Sequence, residues 1–177
     1  MQRIKATNPN HATGKTKVLL AGVQKTHGMI SNMERTMANS PAVLEGYLKF
    51  SGALSGGTLS ARLREQIALA VAEVNDSQYC QSAHTAGAKS IGLSEDDLIA
   101  SRRFASSDPK EEAALQFAFR IVMTRGEASA HEVERVRQAG FSDEEIVEII
   151  ANVGLNIFSN YFNKVAGVAV DLPAAEK

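Results

Sequence analysis

The sequence predicts an all-α fold, and three observations carry that prediction. Helix-start signatures recur along the chain, apolar residues repeat at a 3.6-residue period, and strand signals are nearly absent. In chain order, Thr16 to Lys25 reads as a short amphipathic helix. Ser40-Pro41 sets an N-cap before a proline at the first helical position, opening a helix that runs to about Leu54. After the Ser55-Gly56-Gly57 loop, Ser60 caps a helix whose apolar positions are Leu63, Ile67, Ala70, Val71 and Val74. Asn75-Asp76-Ser77 interrupts it, and the next helix runs from Gln78 to near Gly92, with Ser77 as its N-cap. Ser94 precedes Glu95, Asp96 and Asp97, acids that suit the dipole of a first turn. Asp108-Pro109 repeats the cap-plus-proline signature. Ser129 with Glu132 and Ser142 with Glu145 have capping-box spacing, and Gly140 separates them. The series Ile146, Ile149, Ile150, Val153, Ile157, Tyr161 and Val165 predicts one long final helix, extending to Val170. Asp171-Leu172-Pro173 ends the structured part, leaving Ala174 to Lys177 as a frayed tail.

No fixed-period repeat or dividing linker interrupts the chain, so residues 1–177 are expected to form a single domain. Hydrophobic residues make up 44% and charged residues 22%, the balance of a globular protein rather than a disordered one. Lys plus Arg number 19 against 20 Asp plus Glu, so no general attraction to nucleic acid or anionic membrane is expected. The start of the chain, Met1 to Asn8, lacks a signal-peptide apolar stretch, and no apolar run approaches the roughly 20 residues of a membrane span. A soluble, cytoplasmic protein is the expectation. One cysteine, Cys80, excludes an internal disulfide, a CxxC pair and a multi-cysteine zinc site.

Cys80 nevertheless sits where a thiol can react. With Ser77 as N-cap, Gln78, Tyr79 and Cys80 fill the first turn, where the dipole and unpaired N–H groups favour a thiolate. His84 lies four residues on, along the same face, and could exchange the thiol proton. Alone, this pair reads as a buried small side chain and a structural histidine. Glu65 changes the balance. If the break at Asn75-Asp76-Ser77 folds the two helices antiparallel, Glu65 lies opposite residues 87–88, about 4–6 Å axially from His84. Cys80 follows roughly 6 Å nearer the turn. The order Glu65, His84, Cys80 suits a carboxylate that orients an imidazole serving a thiol; the alternative is a Glu65 paired with Arg62 or Arg64 on a solvated surface.

The stretch from Leu63-Arg64-Glu65-Gln66-Ile67-Ala68 through Tyr79-Cys80-Gln81-Ser82-Ala83-His84-Thr85 resembles the AhpD-like alkylhydroperoxidases of the carboxymuconolactone decarboxylase superfamily. Their pattern is Glu, eleven residues, Cys, two residues, Cys, three residues, His; this chain has Glu65, Ser77, Cys80 and His84 at those positions. Asn39 to Tyr47 and Asn152 to Asn163 look like the peroxidase-related branch, so the resemblance spans nearly the whole chain. It implies an all-helical, homo-oligomeric protein, commonly a trimer or hexamer. It makes Cys80 the peroxidatic cysteine, with Glu65 and His84 as its proton relay. Ser77 stands in place of the family's other cysteine, so a Cys80 sulfenic acid has no resolving partner within the chain. Tyr79 stands where some members carry histidine, and a phenol is a poorer proton carrier at neutral pH.

The expected function is thus a hydroperoxide reductase, possessing one working cysteine, with a thiol or dithiol reductant (lipoyl or thioredoxin-like) as partner and no cofactor. Two alternatives stand beside it: a carboxymuconolactone decarboxylase-like lyase that uses Glu65 and His84 but not the thiol, and a non-catalytic oligomeric scaffold. His11, His27 and His131 lack metal-ligand spacing and read as surface or capping residues. Met29, Met33 and Met37 recur every four residues, as a packing stripe on one helix would. Asn152, Asn156, Asn160 and Asn163 share a helical face, suited to hydrogen bonding between helices or subunits.

Overall fold

A computed structural model describes residues 2–171. Among these residues the regular elements are helical: a 3-10 turn at Pro9–His11, then α1 (Gly14–His27), α2 (Asn32–Met37), α3 (Pro41–Ser55), α4 (Ala61–Val74), α5 (Gln78–Ser90), α6 (Glu95–Arg102), α7 (Pro109–Met123), α8 (Ala130–Gln138) and α9 (Asp143–Ala166). The all-α expectation holds.

Most helix starts are where side-chain caps put them. Ser40, Ser60, Ser94, Asp108, Ser129 and Ser142 each accept a hydrogen bond from a first-turn N–H. Three differences have physical causes. The short α2 was not anticipated: at six residues it cannot show a period, although Ser31 and Glu34 close a capping box. Met29 precedes it, so Met33 and Met37 share α2 while the expected three-methionine stripe on one helix does not form. The last helix ends at Ala166 rather than Val170. There Gly167 turns into the left-handed region at φ 63°, and its N–H and that of Val168 both return to the Asn163 carbonyl. Residues Leu172 to Lys177, including the expected tail, lie outside the described residues.

The hub is α4, which packs against α5, α6, α7 and α9. Its residues from Gln66 to Ala72 are all buried. Ile67 and Val71 meet Leu115, Phe117, Ile149 and Val153 in the main core, each large aliphatic side chain contributing about 1.5–3 kcal/mol by leaving water. At the outer end of α4, Arg62 ties two neighbours together, reaching Asp97 of α6 at 2.7 Å and Glu111 of α7 at 3.0 Å. That guanidinium, with the Ser94 N–H, holds the Asp97 carboxyl well below the ordinary range. Arg62 is therefore committed to the fold and does not pair with Glu65.

The turn between α4 and α5 sets up the site. Asp76 adopts φ 47°, a left-handed conformation that aspartate tolerates better than most residues, and so reverses the chain in three residues. Ser77 N–H closes the turn on the Ala72 carbonyl at 3.0 Å. Asn75 donates to Asn160 Oδ1 at 3.0 Å and accepts from Lys164 Nζ at 2.7 Å, fixing the turn against α9.

Candidate active site

The antiparallel pairing of α4 and α5 brings Glu65 beside His84, with Glu65 Oε2 3.0 Å from His84 Nδ1. The register matches the expected one. A Cβ built on Gly87 would lie 3.0 Å from Glu65 Oε2, so glycine at 87 leaves room for the carboxylate to cross α5. Both side chains are 27% exposed, half sheltered in a cavity of about 90 Å³ whose walls also include Tyr47, Arg64, Asn156 and Ser159. With Nδ1 engaged by the carboxylate, Nε2 is the ring nitrogen left to exchange a proton with a bound molecule.

Cys80 lies deeper, 2% exposed, packed with Ala72, Tyr79 and Ala166. Its sulfur faces α9. Asn163 Nδ2 donates to Sγ at 3.2 Å, and Sγ lies 4.0 Å from Ser159 Oγ. Ser159 lines the cavity of Glu65 and His84 and stands between it and the thiol. The expected linear order along one groove is modified: Glu65 and His84 share the cavity wall, and Cys80 stands one side chain behind it.

Ser77 occupies the N-cap position of α5 as expected, but its side chain makes no capping bond. It is 1% exposed, and Oγ has no hydrogen-bond partner among the described residues. Its backbone there is at φ −99° and ψ 87°. Tyr79 is buried, and its phenol oxygen accepts a hydrogen bond from the Met33 N–H at 3.4 Å. Burial pushes the phenols of both Tyr79 and Tyr47 above their ordinary value, so each stays protonated and offers a donor rather than a proton relay.

These two tyrosines give a stability prediction with a definite sign. A folded-state value above the unfolded one leaves stability intact below about pH 10 and erodes it above, because only the unfolded chain then releases the proton. Thermal unfolding followed between about pH 9 and pH 11 should show a steep loss of Tm. In Tyr47→Phe the loss should be shallower, and an unchanged slope would assign the alkaline lability to other groups.

Sequence reasoning missed the role of α9. Asn152, Asn156, Ser159 and Asn163 are all buried, and Asn163 is a direct partner of the thiol. Their spacing of three to four residues along one face of the helix was the available signal. Of the expected bonding between helices, Asn163 reaches Cys80 of α5 and Asn160 accepts from Asn75 at the end of α4, whereas Asn156 Nδ2 bonds within α9 to the Asn152 carbonyl at 2.8 Å. His27 pairs with Glu34 at 3.3 Å, away from the site.

Comparison with known proteins puts this geometry in context. The family model described as the carboxymuconolactone decarboxylase family matches residues 41–122, which contain Glu65, Ser77, Cys80 and His84. No curated protein matches the chain. Among solved structures, an alkylhydroperoxidase AhpD core, an uncharacterized peroxidase-related protein from Ralstonia eutropha JMP134, is similar at 24% identity and TM-score 0.84, covering 96% of this chain and 92% of that one. An uncharacterized peroxidase-related protein from Silicibacter sp. TM1040 is similar at 21% identity and TM-score 0.84, covering 99% and 96%. The debrominase Bmp8, in complex with 2,3,4-tribromopyrrole, is similar at 19% identity and TM-score 0.80, covering 95% and 91%. The carboxymuconolactone decarboxylase family model thus matches the segment that holds the site, and the chain has an AhpD-like fold along nearly its whole length.

Proposed function

We propose that the protein is a thiol-dependent alkyl hydroperoxide reductase in which Cys80 is the only redox sulfur. The observation that carries this reading is a bonded Glu65–His84 pair in a cavity whose wall residue Ser159 contacts the Cys80 sulfur. The thiolate attacks the distal oxygen of a hydroperoxide, the O–O bond breaks, and the departing alkoxide takes a proton from His84 Nε2, held in place by Glu65. The products are an alcohol and Cys80 sulfenic acid. Two equivalents of an external thiol then restore it: the first forms a mixed disulfide and water, the second releases a disulfide and the free thiol. Such a cycle needs a reducing compartment, which favours the cytoplasm. Exposed apolar side chains on α9, including Val147, Tyr161 and Val165, support assembly as a homo-oligomer.

One observation favours a lyase of the carboxymuconolactone decarboxylase type: Glu65 and His84 line the cavity and Cys80 does not. Mass spectrometry separates the two. Dilute tert-butyl hydroperoxide with a sulfenic-acid trap is expected to label Cys80 stoichiometrically, and an inert Cys80 would move the assignment to the lyase. Because Bmp8 shares the fold, 2,3,4-tribromopyrrole belongs in the same assay; bromide release outpacing hydroperoxide reduction would point to dehalogenation instead.

Glu65→Gln keeps the size of the side chain and removes the charge that holds His84. Oxidation of Cys80 is expected to slow by roughly 100-fold, the scale of a lost acid–base contribution, with helicity unchanged. Equal oxidation rates in the two proteins would reduce Glu65 to a structural carboxylate.

A further inference from the structure

A second cavity, of about 190 Å³, lies between the α4–α5 turn and the end of α9 and shares no lining residue with the first. Its walls include Ser77, Tyr79 and Asn163, with Arg3, Lys164 and Asp76 supplying the charged groups. Two polar atoms in this wall are buried without partners among the described residues, Ser77 Oγ and Asn163 Oδ1. Both residues are at least nine-tenths buried, at 1% and 3% exposed. Asn163 links the cavity to the sulfur: its Nδ2 reaches Sγ at 3.2 Å while its Oδ1 remains free. The first turn of the 13-residue α5 adds the positive end of its dipole. Lys164 lies 3.9 Å from Asp76 and donates to the Asn75 carbonyl, and Arg3 donates to the Lys164 and Val165 carbonyls, so the two cations leave one net positive charge after the carboxylate.

We propose that this cavity is the docking site of a small monothiol carrying a carboxylate, which resolves oxidised Cys80. The proposal rests on the reductase reading above and names its reductant class and point of entry. The unpaired Ser77 hydroxyl and Asn163 carbonyl are a donor–acceptor pair for the polar groups of such a molecule, and the dipole with Lys164 favours its negative charge. Its sulfur enters where the family's other cysteine would stand, beside the position of Ser77. The thiol sulfur attacks Sγ of the sulfenic acid, the S–O bond breaks, and the oxygen leaves as water with the thiol's proton. A second molecule of the same thiol attacks the docked sulfur, releasing a disulfide and Cys80. Hydroperoxide and reductant thus reach one sulfur through separate openings.

The test uses the reverse exchange, which needs no peroxide. The intact protein is mixed with the disulfide of mercaptoacetate or with that of cysteamine, and the mixed disulfide on Cys80 is followed by mass. The anionic reagent is expected to react about fivefold faster or more, as one net charge at close range implies. Asp76→Asn, which keeps a residue tolerant of the left-handed turn, should widen that preference. Gln78 lines the same cavity from an exposed position, so Gln78→Trp narrows the mouth without disturbing the core. It should slow exchange about tenfold, one decade being 1.4 kcal/mol, while leaving oxidation by tert-butyl hydroperoxide unchanged. Equal rates with the two disulfides would overturn the docking site. So would a Gln78→Trp protein that slows exchange and oxidation alike, or neither. A Cys80 that shows the charge preference but forms no sulfenic acid with hydroperoxide would instead overturn the reductase reading alone.

Discussion

Ser77→Cys is expected to close a reversible disulfide with Cys80 on peroxide treatment and to turn over with a dithiol such as dihydrolipoamide. Residues three apart at a helix start have Cα atoms about 5 Å from each other, inside the range a disulfide spans. The resolving sulfur becomes intramolecular, so its effective concentration replaces that of a solution thiol. Peroxidase turnover with a dithiol should rise on the order of tenfold or more. The cost to the fold is small, and its sign is favourable. A capping serine would lose about 1 kcal/mol on replacement, but Ser77 makes no capping bond and its buried hydroxyl is unpaired. An unpaired buried hydroxyl costs about 1–3 kcal/mol, and a thiol at that position removes most of it. The expected Tm is therefore equal to or above that of the unaltered protein. A mass decrease of two hydrogens, reversed by dihydrolipoamide, is the signature. A folded Ser77→Cys protein with neither disulfide nor faster turnover would remove Cys80 from the reaction.

Local chemistry explains which parts of the molecule were legible in the sequence. Helix starts depend on a cap and the three residues after it, so Ser40, Ser60, Ser94 and Ser142 could be read directly. The end of α9 depends on where one glycine turns left-handed, and the apolar pattern running on through Val168 and Val170 concealed the stop at Gly167. The Glu65–His84 pairing was legible because it needs only the turn position and the rise per residue. Asn163 was not. Its contact with Cys80 joins residues 83 apart, and it depends on the rotation of α9 about its axis, which is decided by how Val153 and Ile149 seat in the core. The missing cap bond of Ser77 was not legible either, because the N-cap position by itself does not set where the side chain points.

Asn163 supplies the second large effect, because the same side chain affects the fold and the chemistry in opposite directions. Its Nδ2 donates to Cys80 Sγ at 3.2 Å and to Met33 Sδ at 3.3 Å, while Oδ1 is buried and unpaired. For stability, the amide is a poor bargain: two weak bonds to sulfur set against an unsatisfied acceptor costing about 1–3 kcal/mol. Leucine has nearly the same shape and no polar atoms, and the Met33 side chain that the amide touches is apolar. Asn163→Leu should therefore leave Tm unchanged or raise it by a few degrees, about 1 kcal/mol corresponding to roughly 2–4 °C in a chain of this size. In the proposed reduction, that N–H would steady negative charge on the attacking sulfur, in a place almost closed to water. Losing it should slow Cys80 oxidation by hydroperoxide about 10- to 100-fold, the effect of removing one buried donor from a developing charge. The two measurements together are diagnostic. Slower oxidation with an equal or higher Tm assigns Asn163 to positioning and charge stabilisation at Cys80. A fall in both would make it a packing residue of α9, and an unchanged oxidation rate would show that the sulfur draws nothing from the amide.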